Sequence, residues 1–312
     1  FRIMDKSLLS NQIKKKSFEL GFSKIGITKA KIYKEDKEYI DHWLSNDFHG
    51  SMAWIEKRKE ERANIHKYYP EAKSVISIAI NYFTGNSKDK FEKHKISNYA
   101  WGDDYHIIIK NKLHLLLEYI KSLNSNINGI CCADTSPVSE KIWAQRAGIG
   151  WIGKHTNLIT REFGSWVFLG ELILDSELEY DEPFKQDLCG TCHACIDACP
   201  TDAIFAEYQM DATKCISYQT IENRENIPEE FSEKMDNWIY GCDICQEVCP
   251  WSIKFSVHTN EESFQPRNFL VENSSDYLFN LTQEKYSKLF KNSAMKRSKL
   301  KGLKRNIEFL NN

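Results

Sequence analysis

Apolar and polar positions follow a helical rhythm near the start of the chain and then give way to short apolar runs. In residues 7–20 the apolar side chains fall near one helical stripe, which Gly21 closes, and this spacing predicts a helix. Apolar runs at 24–27 and 75–83 predict strands. The chain is therefore expected to alternate helix and strand from its beginning.

This alternation continues toward residue 180. The pattern predicts, in order, a helix over 105–123, a strand over 127–133, a helix over 138–147 and a strand over 166–174. Helices alternating with strands in this way predict an α/β domain. We expect three parts, which are an α/β domain over 1–180, a cysteine-rich domain over 181–256 and a helical, basic segment over 257–312.

The composition is that of a globular protein with balanced charge. The 312 residues carry 42 Lys and Arg against 44 Asp and Glu, and 41% are hydrophobic, which excludes a disordered chain and a uniformly basic protein. The longest apolar stretches, 75–80 and 166–174, are shorter than the roughly 18 residues that cross a bilayer. No charged-then-apolar leader opens the sequence, so we expect a cytoplasmic protein.

Eight of the ten cysteines lie between Cys189 and Cys249, in two related patterns. The first, CxxCxxCxxxCP, has the spacing of the bacterial ferredoxin run, in which the fourth cysteine binds the other of two clusters. A second CxxCxxxCP run and one further cysteine supply four more thiolates. The crossing rule predicts two [4Fe-4S] clusters, one held by Cys189, Cys192, Cys195 and Cys249, the other by Cys199, Cys215, Cys242 and Cys245.

Zinc is the alternative metal, because paired CxxC sequences also bind zinc. A zinc site takes four thiolates in two pairs, and that does not explain the longer run followed by a second CxxCxxxCP. Two clusters make an electron relay, yet a protein that only carries electrons in this way is far shorter than this chain. Since no GxGxxG follows a predicted strand, and GxxxxGK[ST] and HExxH are absent from the sequence, nicotinamide, nucleotide and zinc-hydrolase functions lose support.

Polar residues follow the predicted strand over 127–133. Asp134 stands at the end of that strand, where a catalytic acid is expected in an α/β sheet, although a helix cap is the simpler role for a single aspartate. The following sequence GIGWIGKHTN places three glycines around a tryptophan, which would allow a large flat ligand to approach. Lys154 and Asn157 could bind the polar rim of such a ligand, or the segment could be an ordinary loop.

Several of these motifs together resemble the epoxyqueuosine reductase family. The resemblance is carried by ADTSPVSEK, GIGWIGKHTNLI, FLGELIL, the CxxCxxCxxxCP run, CISYQTIE and GCDICQEVCPW. It implies a cobalamin-binding α+β domain with a mixed sheet, similar to that of reductive dehalogenases, joined to a ferredoxin-like domain. In that family, electrons pass through two [4Fe-4S] clusters to cobalamin, and the epoxide of epoxyqueuosine at the wobble position of transfer RNA is reduced to queuosine.

The resemblance also assigns roles to single residues. Asp134 becomes the proton donor, which requires a raised pKa, and we expect enclosure beneath a flat apolar corrin to raise it. The expected cobalamin contacts are Arg58, Asp134, Lys154, Asn157, Ser217, Cys242 and Asp243. Asp104-Tyr105-His106 begins like a cobalt-ligating DxHxxG sequence, but the glycine position is Ile109, so His106 is interpreted as a pocket or core residue.

The end of the chain is strongly basic. Between Lys285 and Arg305 there are nine basic side chains and no acidic ones. A solvated helix face normally mixes both signs, so this run favours RNA phosphate as its partner. The candidate transfer RNA contacts are Lys296, Arg297, Lys299, Lys304 and Arg305.

Two other functions stay open at this point. A reductive dehalogenase would share the clusters and the corrinoid but act on small organohalides, and an electron-transfer ferredoxin would have no substrate of its own. For the favoured function we expect an external low-potential electron donor, transfer RNA as substrate, no membrane partner and a monomer.

Overall fold

The computed structural model describes residues 5–91 and 94–311. Its strands are β1 (Lys24–Lys29), β2 (Ser74–Asn81), β3 (Lys95–Ile96), β4 (Gly129–Cys132), β5 (Trp151–Ile152), β6 (Leu158–Ile159), β7 (Val167–Leu174) and β8 (Trp238–Tyr240). The helices of the first half are α1 (Lys6–Glu19), α2 (Lys34–Ser45), α3 (Ala53–Lys57), α4 (Lys59–Ala63), α5 (Ile65–Tyr68), α6 (Ser87–Lys90), α7 (Tyr105–Leu123) and α8 (Glu140–Arg146).

Shorter helices dominate the second half. They are α9 (Ala194–Asp197), α10 (Ile216–Ile221), α11 (Ile244–Glu247), α12 (Pro250–Phe255), α13 (Asn268–Glu272), α14 (Ser275–Phe279), α15 (Gln283–Leu289) and α16 (Lys299–Asn311). Single 3-10 turns lie at Asn98–Ala100, Ala212–Lys214, Glu229–Phe231, Glu262–Phe264 and Ala294–Ser298.

The main sheet has the strand order β1-β2-β7-β4. All of its pairings are antiparallel, with Ser77 opposite Glu171 and Cys132 opposite the same glutamate. Every residue of β2 is buried, because helices cover both faces of the sheet. The strand and helix contents predicted from the apolar pattern are confirmed, and among the described residues the main sheet is antiparallel and not mixed in strand direction.

The two faces of the sheet carry different helices. On one face α1 and α7 bury side chains such as Ile13 and Leu113 against β2 and β7. On the other face α8 packs so closely that a Cβ at Gly26 would lie 1.9 Å from the Ala147 carbonyl oxygen. A glycine is therefore required at that position of β1, and the tight contact fixes the start of the segment that follows α8.

The cysteine-rich and C-terminal regions share a core with part of the first half. β3 pairs in parallel with β8, and Trp101 packs among Leu270, Phe290 and Leu303. The C-terminal helix α16 is fastened to this core by Asn306, whose side-chain amide donates to the Thr220 and Ile239 carbonyl oxygens at 2.8 Å each. The C-terminal region is thus packed against the cluster region, not attached as a loose arm.

Within the part of the chain that the structure describes, none of the helices combines the length and the apolar character needed to span a bilayer.

Candidate active site

A cleft of about 270 Å³ opens at one edge of the main sheet. It lies where β2 and β4 end and β7 begins, since Tyr82 follows β2, Asp134 follows β4 and Val167 starts β7. Aromatic rings form much of its lining, and Tyr105 stacks on Phe168 with their ring centroids 4.3 Å apart. The cleft therefore combines an apolar aromatic wall with a carboxylate at its mouth.

Asp134 occupies a sharp turn after β4. Its φ of 49° lies in the left-handed region, which aspartate adopts more readily than most residues. Its backbone N–H donates to Glu140 Oε1 at 2.5 Å, and Lys110 Nζ donates to the neighbouring Thr135 hydroxyl at 3.0 Å. These contacts hold the turn while 52% of the Asp134 side chain stays exposed at the cleft.

His106 connects Asp134 to a second carboxylate. Its Nε2 lies 2.7 Å from Asp134 Oδ2, and its Nδ1 lies 2.6 Å from Asp104 Oδ1. Asp104 also caps α7, because its side chain accepts the backbone N–H of His106. Partial burial lowers the pKa of His106, but the two carboxylates outweigh it and raise that pKa to about 9.

The charge on His106 decides the state of Asp134. Partial enclosure is the largest single effect on the Asp134 pKa and raises it, as expected from the sequence. The hydrogen bond and charge of His106, helped by Tyr105 and Arg62, act the other way and leave the pKa below its ordinary value. The expectation of a raised Asp134 pKa is wrong for this arrangement, because an imidazolium lies beside the carboxylate.

Two further glutamates lie beneath this turn. Glu171, in the centre of β7, is fully buried, and its Oε1 accepts the Ser77 hydroxyl at 3.2 Å. Its Oε2 has no hydrogen-bond partner in residues 5–91 and 94–311. Burial, together with the charge of Glu140, raises the pKa of Glu171 well above its ordinary value. Burial and the charge of Asp134 likewise raise the pKa of Glu140, so the interior below the cleft favours protonated acids.

Of the two residues that the sequence predicts as ligand contacts in the segment after α8, Asn157 lines the cleft and Lys154 does not. Asn157 lines the cleft, and its side-chain oxygen accepts from Lys141 Nζ at 3.1 Å. Lys154 points elsewhere, because only 3% of its side chain is exposed and Nζ reaches the Gly190 carbonyl oxygen at 2.7 Å and Glu207 Oε1 at 2.8 Å. Lys154 therefore joins this segment to the cysteine-rich region and does not present a charge to a ligand rim.

The other expected cobalamin contacts are dispersed. Arg58 contacts Glu61, with Nε 3.1 Å from Oε1, and its guanidinium lies 5.3 Å from the centre of the Tyr68 ring. Backbone N–H of Ser217 donates to the Cys215 thiol. Asp243 is buried, and its carboxylate accepts from the Ser97 hydroxyl at 2.5 Å and the Asn98 backbone N–H at 2.7 Å. The Asp243 carboxylate thus fixes the chain around β3 and does not face the cleft.

All ten cysteines are free thiols, and the eight of the cysteine-rich region include close neighbours from both sequence runs. Burial raises the pKa of Cys195 to about 11, and the neighbouring thiols that raise it further are Cys249, Cys189 and Cys192. Burial also raises the pKa of Cys242, and its thiol neighbours are Cys215 and Cys245. Cys199 is among the thiol neighbours of Cys215 and of Cys245. Thiols that are distant in sequence are therefore brought together in two adjoining groups, and Cys195 of the first group also acts on Cys245 of the second.

The second group adjoins the cleft. Cys245 lies close enough to Lys141 and Tyr82 for the charge of its thiolate to raise the pKa of both side chains. The Tyr82 hydroxyl donates to Gln246 Oε1 at 3.3 Å. In the described ranges no three His, Cys, Asp or Glu side chains are placed to hold one single metal ion. A [4Fe-4S] cluster does not require its ligands to converge on one metal ion, because each thiolate binds a different iron.

The basic side chains near the C-terminus have different environments. Arg297 forms two hydrogen bonds with Glu222, at 2.8 Å from Nε and 2.6 Å from Nη2. Arg305 faces the protein, where its guanidinium reaches the carbonyl oxygens of Gln219, Asn223 and Glu225. Its assignment as an RNA contact is therefore incorrect for this arrangement. Lys296 and Lys299 are exposed, and Lys304 Nζ lies 5.6 Å from the centre of the Phe279 ring.

Sequence reasoning missed the roles of His106 and Glu171. A glutamate within the apolar run VFLGELIL is a signal that could have indicated a buried acid. The only hint for His106 was an aspartate two residues earlier at a helix start, and its contact with Asp134 depends on tertiary structure.

Two family models match the chain. Residues 62–135 match "Epoxyqueuosine reductase QueG, DUF1730", and residues 188–252 match a "4Fe-4S double cluster binding domain". The second match confirms the prediction of two [4Fe-4S] clusters over the zinc alternative.

Curated relatives named epoxyqueuosine reductase match nearly the whole chain. The protein from Leadbetterella byssophila is 47% identical over 301 residues, covering 96% of this chain and 98% of its own. The Escherichia coli protein is 40% identical over 299 residues, covering 94% of this chain and 78% of its own.

Solved structures give the same result. An epoxyqueuosine reductase bound to an epoxyqueuosine-modified tRNA stem loop is 28% identical, with a TM-score of 0.88 over 98% of this chain and 81% of its own. One from Bacillus subtilis, whose catalytic aspartate loop is swung out of the active site, has a TM-score of 0.89 at 29% identity, covering 98% of this chain and 82% of its own. A reductive dehalogenase at 16% identity shares the fold, with a TM-score of 0.52 over 82% of this chain and 33% of its own. The chain belongs to the epoxyqueuosine reductase family.

Proposed function

We propose that this chain reduces epoxyqueuosine at the wobble position of transfer RNA to queuosine, with electrons delivered through two [4Fe-4S] clusters to cobalamin. The observation that carries this proposal is the position of the Asp134–His106 pair at the mouth of a cleft whose other side adjoins Cys245. A proton source and an electron source thus face the same space, as the reductive opening of an epoxide requires.

The proposed cluster ligands are the two crossed sets. The first set is Cys189, Cys192, Cys195 and Cys249, and the second is Cys199, Cys215, Cys242 and Cys245. The thiol neighbours of Cys195 include Cys249, and those of Cys215 include Cys199, which supports sets that draw on both sequence runs. The donors fit the group, because all eight are free cysteines and thiolates are the usual ligands of such clusters.

Cobalamin fits the cleft by the chemistry of its walls. The rings of Tyr82, Tyr105 and Phe168 offer an apolar aromatic wall, and Asn157 and Lys141 add polar groups to the lining. When bound, cobalamin would supply a strongly nucleophilic, low-potential metal centre. The residues proposed to hold cobalamin are Asn157, which lines the cleft, and the chain around Cys242 and Asp243. Arg58 and Ser217 are also proposed contacts, although they lie outside the cleft lining.

The residues of this chain have the following proposed tasks. Asp134 donates a proton to the epoxide oxygen, and Tyr105 and Phe168 exclude water from the reacting atoms. The part over 1–180 carries this chemistry, 181–256 carries the clusters, and 257–312 contacts the RNA. Among the basic residues, Lys296, Lys299 and Lys304 are the proposed phosphate contacts, with Arg297 contributing only if it exchanges Glu222 for a phosphate.

The direct test is conversion of substrate. The protein, reconstituted anaerobically with iron, sulfide and cobalamin and reduced chemically, is incubated with epoxyqueuosine-containing transfer RNA, and the nucleosides are released and identified by mass. Queuosine formation by the wild type is expected, and an Asp134→Asn protein with the same cofactor content should be slower by about 10² to 10⁴. Unchanged epoxyqueuosine with fully loaded wild-type protein, or dehalogenation of a small organohalide in its place, would overturn the proposal.

A further inference from the structure

We infer that Asp104, His106 and Asp134 form one proton-relay unit, in which His106 stores the proton that Asp134 passes to the substrate. The inference rests on the proposed function for its chemistry and on the contacts of His106 for its structure. It assigns a catalytic supporting role to a histidine that the sequence pattern indicated only as a pocket or core residue.

The hydrogen bonds alone require a stored proton. His106 has carboxylate oxygens 2.6 Å from Nδ1 and 2.7 Å from Nε2, and a carboxylate can only accept. A neutral imidazole carries one N–H, so it can satisfy one of the two contacts. The second contact needs another proton, either on the ring or on one of the aspartates. In every arrangement, the unit of three side chains holds a proton that can be given up.

The charges around His106 place that proton on the ring. Asp104 and Asp134 are the nearest acids, and Glu140 lies behind Asp134 on α8. The positive groups nearby are Lys110, which donates to the Thr135 hydroxyl, and three side chains whose charges interact with that of Asp134, namely Arg62, Lys141 and Arg297. Tyr105 stacks on the ring at 4.0 Å between centroids and carries no charge at neutral pH, because burial raises its pKa. The pKa of His106 of about 9 agrees with an imidazolium between two carboxylates.

The reaction consumes two protons. Conversion of an epoxide to an alkene breaks two C–O bonds, forms the second C–C bond of the alkene, and releases water after the oxygen takes up two electrons and two protons. The electrons come from the external low-potential donor through the cofactors of the proposed function. Asp134, ionised beside His106, gives a proton to the leaving oxygen only as it receives one from Nε2. The unit must then take up one more proton before the second protonation of the oxygen.

A purely structural role is a weaker explanation of the same contacts. Asp104 alone would suffice to cap α7 and orient the ring, since it accepts both the backbone N–H and Nδ1–H of His106. Neither task requires the hydrogen bond between His106 Nε2 and Asp134. That bond joins α7 to the turn after β4 and reaches the residue at the mouth of the cleft, which favours a role in proton transfer.

The first test is a titration that does not depend on turnover. The histidine ring protons of the cluster-containing protein are followed by NMR against pH, and the His106 signal is identified by its loss in His106→Gln. We expect His106 to titrate near 9 in the wild type and at a clearly lower pH in Asp134→Asn and in Asp104→Asn. A His106 signal that titrates near its ordinary value, or that Asp134→Asn does not move, overturns the relay.

The second test measures single-turnover reduction with both cofactors loaded. The wild-type rate should fall as the pH rises through about 9, because the stored proton is lost. His106→Gln should be slower by about 10²-fold at neutral pH and should gain rate toward acid pH, where Asp134 holds its own proton. Asp104→Asn should shift the alkaline fall to lower pH. His114→Gln is the matched control, with the same substitution on the same helix.

The two proposals fail in different ways. If the wild type does not convert epoxyqueuosine, the proposed function fails while the NMR titration still decides the proton store. If the wild type converts it and His106→Gln keeps both the rate and the pH profile, the relay fails and the proposed function stands.

Discussion

Arg305 and Gln219 are joined by a 2.6 Å hydrogen bond from the guanidinium Nη2 to the main-chain carbonyl oxygen. The same guanidinium donates from Nη1 to the Asn223 and Glu225 carbonyl oxygens, so a single side chain closes the loop that follows α10. Burial lowers the pKa of Arg305 below its ordinary value, which agrees with a position inside the protein. A basic residue in a basic segment therefore has a structural task.

Replacing Arg305 by lysine should destabilise the protein although the charge is kept. An ammonium group cannot reproduce the planar fork that serves three carbonyl oxygens, and each hydrogen bond from a charged group contributes about 1.5–3 kcal/mol. We expect the free energy of unfolding, measured by urea denaturation, to fall by about 2–3 kcal/mol in Arg305→Lys. Lys301→Ala, an exposed substitution in the same helix, should stay within about 0.5 kcal/mol of the wild type. Equal stability of both variants would contradict the structural role.

Lysines of the same segment should instead control RNA affinity. Changing the proposed phosphate contacts Lys296, Lys299 and Lys304 together to alanine should weaken binding of a transfer RNA anticodon stem loop and flatten its dependence on salt. The slope of log affinity against log salt should fall by up to about two to three units, according to how many of the lysines meet a phosphate.

The control for that experiment carries the same loss of charge elsewhere. Lys15, Lys29 and Lys31 are exposed residues of the first part of the chain, and their triple alanine variant should keep the wild-type slope. Equal slopes for all three proteins would assign the basic run to a solvated face.

Double substitutions should reveal the crossing of the cluster ligands. Cys189 and Cys249 belong to different sequence runs but to the same proposed cluster, so Cys189→Ser with Cys249→Ser should retain about four of roughly eight irons. Cys189→Ser with Cys245→Ser removes one ligand from each cluster and should lose nearly all iron. Iron analysis and the cluster absorbance of anaerobic protein give the counts, and loss of nearly all iron from both variants would show that each run fills its own cluster.

Glu171→Gln should stabilise the protein more at neutral pH than at acid pH. The folded-state pKa of Glu171 is raised, so the folded protein keeps a proton that the unfolded chain releases, and wild-type stability falls as the pH rises above the unfolded value. Glutamine stays neutral and keeps an oxygen for the Ser77 hydroxyl. The difference in unfolding free energy should grow by about 1.4 kcal/mol per pH unit until the folded pKa is reached. Thermal midpoints near pH 6 and pH 8 measure it, and a difference independent of pH would mean that Glu171 is ionised in the folded state.

The secondary structure around the cleft was largely accessible from sequence. The helix predicted over 105–123 is α7, and the strand predicted over 166–174 lies within one residue of β7. Strong periodicity fixes such elements locally. The direction of pairing in the sheet is not local information, because it depends on how the connections between strands run.

The candidate site could be predicted from the sequence only where the spacing of residues determines the chemistry. Cysteine spacing predicts two clusters, since the thiolates must fit a fixed inorganic core. Nothing comparable distinguishes Lys154 from Lys304, or Arg305 from Lys301, because the sequence shows the charge and not the partner. The Asp134 pKa was misjudged for the same reason, as the deciding group, His106, is brought to it by the fold.

The anchoring of Asn306 to the Thr220 and Ile239 carbonyl oxygens has a consequence for how RNA is recognised. A helix held by buried amide contacts keeps its shape whether or not RNA is present, so complex formation requires no folding of the protein. The accompanying change in heat capacity should then be small, and association should be fast and steered by charge. No rearrangement of α16 is then needed to bring the modified base to the cleft, and we expect the RNA to supply that movement by extruding one nucleotide from its stack.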